Sequence, residues 1–235
     1  SLSYGGGFYV TQTAMTMTSN VVNNNVAHRG AGLYLANASK IVIQGNTFTA
    51  NQAQAPNENL RPSGGGVYFA TTTITFTANT LNQNSALYGA GLYVEGTGRS
   101  QINQNTFSAN VASKDGGALY LDGSDATLDG NTLQSNVSSS GRGGALYARN
   151  GQAMLNGNTF RLNQAGLEGG ALYLTVDSAT VQGGLIDSNS SGDGAGIYID
   201  GPAPGAAQAP PWITQVTLNS NNASNHGGAI FIRNS

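Results

Sequence analysis

Hydrophobic and polar residues alternate along this chain in short runs, and a period of two predicts β-strands rather than helices. The first kind of run follows a glycine-rich bead, as in GGALYLD at 116–122, where the aliphatic residues share one parity and a tyrosine takes the other. The second kind centres on an aliphatic residue such as Leu128, which a polar residue follows. The third centres on a residue such as Leu133 and usually begins with threonine. The pattern therefore predicts three kinds of short strand.

The three runs recur along the whole chain at a spacing of about 26 residues. Two intervals are longer, and they place insert loops near 52–63 and 200–211. A fixed period of this size is typical of solenoids, in which each unit packs on its neighbours. The asparagine that closes each unit shows the period well: Asn25, Asn51, Asn84, Asn110, Asn136, Asn163, Asn189 and Asn221.

These observations predict an all-β fold, a right-handed single-stranded parallel β-helix with three strands per coil and about nine coils of about 26 residues. A sandwich or barrel fits less well, because recurrence at identical positions requires each coil to lie on its own copy. Crossovers between parallel strands are normally right-handed, which favours that hand here. We interpret residues 1–235 as a single β-helix domain and as a segment of a longer solenoid, since the sequence begins and stops within a unit.

Glycine and asparagine occupy the predicted corners. Glycine before the first strand allows backbone conformations that other residues avoid. A second asparagine series precedes the third strand, and we expect its members to adopt the left-handed conformation and to bond to one another between coils. The small residue two places after each closing asparagine, such as Ala27, is predicted to form a further packed corner. The second series consists of Asn20, Asn46, Asn79, Asn105, Asn131 and Asn158.

Composition excludes several classes of function. Charged residues are 9% of the chain and the net charge is −2, which offers no basic surface for nucleic acid. No apolar run is long enough to insert directly into a membrane as a helix. Cysteine is absent, so disulfides and thiolate metal sites are excluded. We predict no metal site and no cofactor.

The beads GGAL, GAGL and GGAI, followed by NTFTAN, NTFSAN and NTFRLN, resemble a known repeat. They are similar to the GGA(I/L/V) and FxxN repeats of the polymorphic outer membrane proteins, within the wider pectin-lyase-like superfamily of right-handed parallel β-helices. The resemblance covers essentially the whole chain, although only Phe48, Phe107 and Phe160 keep the phenylalanine of FxxN. It implies a right-handed coil and a bacterial surface passenger or adhesin.

That superfamily also includes polysaccharide lyases and hydrolases, which use clustered carboxylates with an arginine or lysine on the outer face of one strand. Stacking the coils in register places Glu95, Asp122 and Arg149 at equivalent outward positions, so these three are the candidates for such a site. We interpret Asp122 and Arg149 as a surface ion pair instead, and predict that the chain has no catalytic residue.

An aromatic row is the stronger candidate for binding. The charged residues that follow two places later in several units indicate that these rings point away from the core. Stacking of like residues between coils, contact with another protein and binding of a glycan all remain open. Trp212, in the second insert, is a further candidate contact. The row is Tyr34, Tyr68, Tyr93, Tyr120, Tyr147, Tyr173, Tyr198 and Phe231.

We therefore predict a non-enzymatic extracellular β-solenoid, a stalk, fibre or adhesin segment of a protein at the bacterial cell surface. Its expected partner is a protein, through self-association end to end or side by side or through a host or neighbouring surface, or else a glycan. The alternative is a carbohydrate-active β-helix enzyme, a polysaccharide lyase or hydrolase, or a glycan-binding module.

Overall fold

The computed structural model describes residues 3–38, 40–70, 73–96, 98–175, 178–201 and 210–233. These residues form four parallel sheets that run the length of a solenoid. The tip of the second predicted insert, at 202–209, lies outside the described residues. The first sheet has nine strands: β1 Phe8–Thr11, β5 Leu33–Ala36, β9 Val67–Ala70, β13 Leu92–Glu95, β17 Leu119–Asp122, β21 Leu146–Arg149, β25 Leu172–Thr175, β29 Ile197–Asp200 and β33 Ile230–Arg233.

The second and third sheets have eight strands each. The second contains β2 Met15–Thr18, β6 Ile41–Gln44, β10 Ile74–Thr77, β14 Arg99–Asn103, β18 Asp125–Asp129, β22 Gln152–Asn156, β26 Ser178–Gln182 and β30 Trp212–Thr214. The third contains β3 Val21–Asn23, β7 Thr47–Thr49, β11 Thr80–Asn82, β15 Thr106–Ser108, β19 Thr132–Gln134, β23 Thr159–Arg161, β27 Leu185–Asp187 and β31 Thr217–Asn219.

The prediction of three strands per coil was one short, because a fourth sheet of eight strands closes each turn. Most of these strands have two residues, so they contain one inward position and show no alternation. Their inward residues are the small side chains that the sequence placed at a packed corner, such as Ala112. The strands are β4 Val26–Ala27, β8 Gln52–Ala53, β12 Ser85–Ala86, β16 Val111–Ala112, β20 Val137–Ser138, β24 Gln164–Ala165, β28 Ser190–Asp193 and β32 Asn222–His226.

Equivalent residues of successive turns lie over one another, as the periodicity predicts. Leu119 pairs with Leu146 and Leu92 pairs with Leu119, in parallel strands throughout. The inward-facing hydrophobic side chains of the first three sheets fill one continuous core, in which residues such as Leu119 and Phe107 have no exposed surface. Each Å² of apolar surface removed from water stabilises the fold by about 25 cal/mol, so this core is the main stabilising element.

Two asparagine columns hold the corners, and they confirm the predicted ladders. The Asn105 side-chain amide donates to the Phe76 carbonyl at 2.9 Å and to Asn131 Oδ1 at 3.0 Å, and its backbone N–H donates to the same oxygen. Asn110 is bonded in the same way to Leu81 and Asn136. Each buried asparagine therefore satisfies backbone groups that a tight corner would leave without partners.

The backbone conformation of these corners differs from the expectation. The residue before the ladder asparagine, not the asparagine itself, takes the left-handed conformation, as at Ser19 (φ 56°), Ala78 (φ 53°) and Gln104 (φ 55°). Such a conformation is unfavourable for residues with a side chain. The hydrogen bonds of the following asparagine hold it in place.

Helical structure is minimal in the part of the chain that the structure describes. One 3₁₀ turn, Glu58–Leu60, lies within the first predicted insert. None of the described residues forms a helix long and apolar enough to cross a membrane.

Candidate functional site

The predicted aromatic row forms a continuous stack, which we call the tyrosine column. Neighbouring rings from Tyr9 to Phe231 lie 4.7–5.3 Å apart between centroids, with interplanar angles of 2–21°. The column lies outside the main core, on the opposite face of the first sheet, as its parity predicts. It consists of Tyr9, Tyr34, Tyr68, Tyr93, Tyr120, Tyr147, Tyr173, Tyr198 and Phe231.

The row points away from the main core as predicted, but most of its rings are buried and not presented to solvent. Tyr68, Tyr120 and Tyr198 are 1% exposed, and the rings between them are 4–8% exposed. Between the fourth and first sheets the chain turns at left-handed glycines that lie against the tyrosine column. A Cβ at Gly89 (φ 55°) would lie 2.9 Å from the Tyr120 Cβ, so only glycine allows this approach. The column is therefore a second, smaller core.

Two columns of polar side chains border the rings. One comes from the last residue of the first-sheet strands from β13 onward and includes Glu95, Asp122 and Arg149, which the paired register places side by side as predicted. The other comes from the residue before each corner glycine and includes Arg29 and Ser63, which pair with each other as an isolated bridge. Side chains from both borders reach over the tyrosine column.

A cavity of about 190 Å³ opens between these borders, and we call it the arginine cleft. All three catalytic candidates line it. Two tyrosines of the column form its floor, and the first insert contributes Arg61. The lining residues are Arg29, Arg61, Ser63, Tyr68, Tyr93, Glu95, Asp122 and Arg149.

Asp122 is held as an ionised partner of Arg149. The guanidinium donates to both carboxylate oxygens, at 2.9 Å from Nε and 2.6 Å from Nη2. Partial burial by itself would raise the pKa of Asp122, but the hydrogen bonds and charge of Arg149 outweigh it and hold the pKa below its usual value. The same bonds raise the pKa of Arg149. A carboxylate in this state is poorly suited to give up a proton as a general acid at neutral pH.

Glu95 and Arg29 meet at the hydroxyl of Tyr68. Arg29 Nη1 donates to this hydroxyl at 3.1 Å, and the hydroxyl donates to Glu95 Oε2. Burial and the bond to Glu95 raise the pKa of Tyr68, so its hydroxyl stays neutral. Arg29 also lies over the Tyr68 ring, 5.4 Å from its centroid. The buried Arg29 Nε has no hydrogen-bond partner among the residues described.

The first insert is what brings Arg61 to the cleft. His28 is 4% exposed, and its Nε2 lies 2.6 Å from the Leu60 carbonyl, which anchors the insert. Arg61 itself is left-handed (φ 54°), and Ser63 Oγ donates to its carbonyl at 2.9 Å. Its guanidinium lies over the Tyr88 ring, 4.7 Å from the centroid. The interval between Asn51 and Asn84 is lengthened to 33 residues by this insert. The insert therefore places an additional arginine beside the tyrosine column.

Trp212 lies elsewhere, on the outer face of the second sheet. It is 66% exposed and lines an open depression of about 470 Å³ with Thr180, Gln182, Thr214 and Gln215. The structure therefore does not bring this predicted contact residue to the arginine cleft. No group of three or more histidine or acidic residues is placed to hold a metal ion within the described ranges.

Sequence reasoning missed Arg29, Arg61 and Ser63. A signal for Arg61 was present, because the insert that carries it breaks a regular repeat, and loops often carry binding residues. Arg29 and Ser63 each stand immediately before a corner glycine. Alignment of the corners, and not only of the strands, would have placed them in one column.

Comparison with protein families agrees with this architecture. A family model described as "Right handed beta helix region" matches residues 2–133 and 90–235. The two matches together span nearly the whole chain, so this protein belongs to the right-handed β-helix family. No curated protein and no solved structure matches the chain.

Proposed function

We propose that this chain is a non-enzymatic structural or adhesive β-solenoid, a stalk, fibre or adhesin segment of an extracellular or bacterial cell-surface protein. The observation that carries the proposal is the unbroken run of three stacked columns through successive turns. The tyrosine column passes from Tyr9 to Phe231, one asparagine column passes from Asn25 to Asn221, and the other passes from Asn20 to Asn158. Such columns make a stiff rod, which is what a stalk requires.

The surface chemistry supports an extracellular role. Hydroxyl and amide side chains are frequent on the outer faces of the second and third sheets, where columns such as Thr80, Thr106 and Thr132 pair in register. The repeat motifs resemble those of the polymorphic outer membrane proteins, which supports placement in the pectin-lyase-like superfamily and at the surface of a bacterium. The proposed partner is a protein or a glycan.

Electron microscopy and sedimentation of the purified chain test the structural role. We expect single rods roughly 40 Å long, from the spacing of about 4.8 Å between stacked strands. Binding of these rods to each other or to bacterial or host cells is the second part of the proposal. Compact particles instead of rods, or rods that bind neither cells nor each other, would contradict it.

A carbohydrate-active enzyme is the second candidate, because Glu95, Asp122 and Arg149 converge in one cleft. A cleavage assay on acidic polysaccharides, with and without Ca²⁺, separates the two. Wild type and the Glu95→Ala, Asp122→Ala double variant should be equally inactive if the chain is a rod. Cleavage by wild type that the double variant lacks would favour the enzyme.

A further inference from the structure

We propose that the arginine cleft binds the oxyanion group of a small ligand, that is, a carboxylate, sulfate or phosphate. Arg29 and Arg61 would be the ligand-binding groups, while the Tyr93 hydroxyl, which lines the cleft, donates to Asp122 at 3.3 Å. This inference goes beyond the proposed function, because it holds for a stalk and for an adhesin alike.

The distribution of charge in the cleft is the first argument. Three guanidinium groups face two carboxylates there. Asp122 is bonded to Arg149 through both oxygens. Glu95 accepts from the hydroxyl of Tyr68. Arg29 and Arg61 form no ion pair with any residue that the structure describes. Arginine stays charged, so the cleft keeps positive charge that its own carboxylates do not neutralise.

An unsatisfied donor is the second argument. Arg29 Nε is buried and lacks a hydrogen-bond partner within the described part of the chain. Buried polar groups almost always have a partner, so an exception calls for an explanation. An acceptor oxygen of a ligand in the cleft would give Arg29 Nε a hydrogen-bond partner. Guanidinium groups bind oxyanions through two parallel hydrogen bonds, which matches this need.

The third argument is the way the cleft is built. Arg61 belongs to the insert that departs from the repeat, and it is held there by His28, Leu60 and Ser63. A volume of about 190 Å³ is several times the roughly 30 Å³ that a water molecule occupies in the liquid. An oxyanion group therefore fits with water around it. A cation is disfavoured, because both carboxylates are already engaged.

Nuclear magnetic resonance of the arginine Nε–H groups tests the proposal directly on the full chain. The titrants are sodium sulfate, sodium phosphate and sodium acetate, with sodium chloride at matched ionic strength as the reference. We expect at least one oxyanion to shift the Arg29 and Arg61 signals to saturation, while Arg161 and Arg233 follow the chloride reference. Saturation by acetate would indicate a carboxylate ligand, and saturation by sulfate or phosphate alone would indicate a tetrahedral one.

A pair of variants removes the same charge from two places. Arg61→Ala should weaken the binding at least about tenfold, because a hydrogen-bonded charge is lost. Arg99→Ala is the matched control, since Arg99 is exposed on the second sheet and does not line the cleft. Far-ultraviolet circular dichroism confirms that both variants fold. Equal weakening by the two variants, or no saturable shift of Arg29 and Arg61 with any oxyanion, would overturn the proposal.

Discussion

Two stretches of surface over the tyrosine column have the same backbone plan but differ in how their charges are paired. Farther along the rod, charges on adjacent turns neutralise one another in what we call the paired ladder: Arg142 with Glu168, and Asp200 with Arg233. Between these two pairs, Asp193 accepts a hydrogen bond from the backbone N–H of His226. In the arginine cleft, one such pair forms, between Asp122 and Arg149, and two arginines have no carboxylate partner among the described residues.

The insert explains the difference. In the paired ladder, the repeat places a single residue at each border, and opposite charges on neighbouring turns close over the rings. Arg142 bonds to Glu168 and lies over Tyr173, 5.4 Å from its centroid. At the cleft, the insert adds Arg61 from outside the repeat, so the charges no longer cancel. The comparison teaches that this repeat makes a closed surface by default and that an insert opens a site.

Alkaline pH should produce the largest effect. Burial raises the pKa of Tyr68, Tyr93, Tyr120 and Tyr173 in the folded chain. Their stabilising contribution is therefore complete below the ordinary tyrosine pKa of about 10 and is lost as pH rises through the folded pKa. Each tyrosine lowers the free energy of unfolding by about 1.4 kcal/mol per pH unit in that range. Tyrosinate absorbance and circular dichroism should change together, since Tyr68 lies beneath the cleft and Tyr173 beneath the paired ladder. Ionisation with the fold intact would contradict this.

Truncation of a ring beneath either surface should cost nearly the same. Tyr93→Ala and Tyr173→Ala each remove a buried ring that stacks on two neighbours, so we expect losses of about 3–5 kcal/mol in the free energy of unfolding. Urea denaturation measures both. Tyr9→Ala is the control, because Tyr9 is 57% exposed and has one ring neighbour in the column; its loss should stay below about 1 kcal/mol. A much smaller loss for Tyr93 than for Tyr173 would mean that the column is weakened beneath the cleft.

Removal of the ion pair at the cleft should have a moderate effect. Asp122→Asn breaks two charged hydrogen bonds to Arg149, and we expect a loss of about 1 kcal/mol at neutral pH because the pair is partly exposed. The pKa of Asp122 is lowered in the folded chain, so this stabilisation is present above the unfolded pKa of about 4 and disappears as pH falls through the folded pKa. Urea denaturation across acidic pH should therefore show a smaller pH dependence in the variant.

Asp125→Asn serves as the control for that change. Asp125 accepts an exposed hydrogen bond from the backbone N–H of Gln152 and has no ion pair in the described structure. If both variants lose the same stability, the Asp122 and Arg149 pair contributes nothing specific to the fold.

Most of the fold could be predicted from the sequence, because columns in space follow directly from a fixed period. The alignment of Glu95, Asp122 and Arg149 was predictable for the same reason. Burial of the tyrosine column was not, since its cover comes from corner segments whose path depends on glycines such as Gly89. The place of Arg61 was not predictable either, because an insert has no counterpart in other turns from which to infer its position.

The smallest loss of stability is expected for Arg61→Ala, and its comparison with Arg142→Ala separates the arginine cleft from the paired ladder. Arg142→Ala removes the ion pair with Glu168 and the cover of Tyr173, so we expect a loss of about 1.5 kcal/mol in the free energy of unfolding. Arg61→Ala removes a contact with the Tyr88 ring but no ion pair to a described residue, and its loss should be about 0.5 kcal/mol. Urea denaturation, with and without the oxyanion that binds, measures the free energy of unfolding of wild type and both variants. The anion should stabilise wild type and Arg142→Ala, because it binds the folded chain, and should stabilise Arg61→Ala less, because it binds that variant more weakly. An Arg61→Ala loss as large as that of Arg142→Ala would instead make Arg61 a structural residue, as the arginines of the paired ladder are.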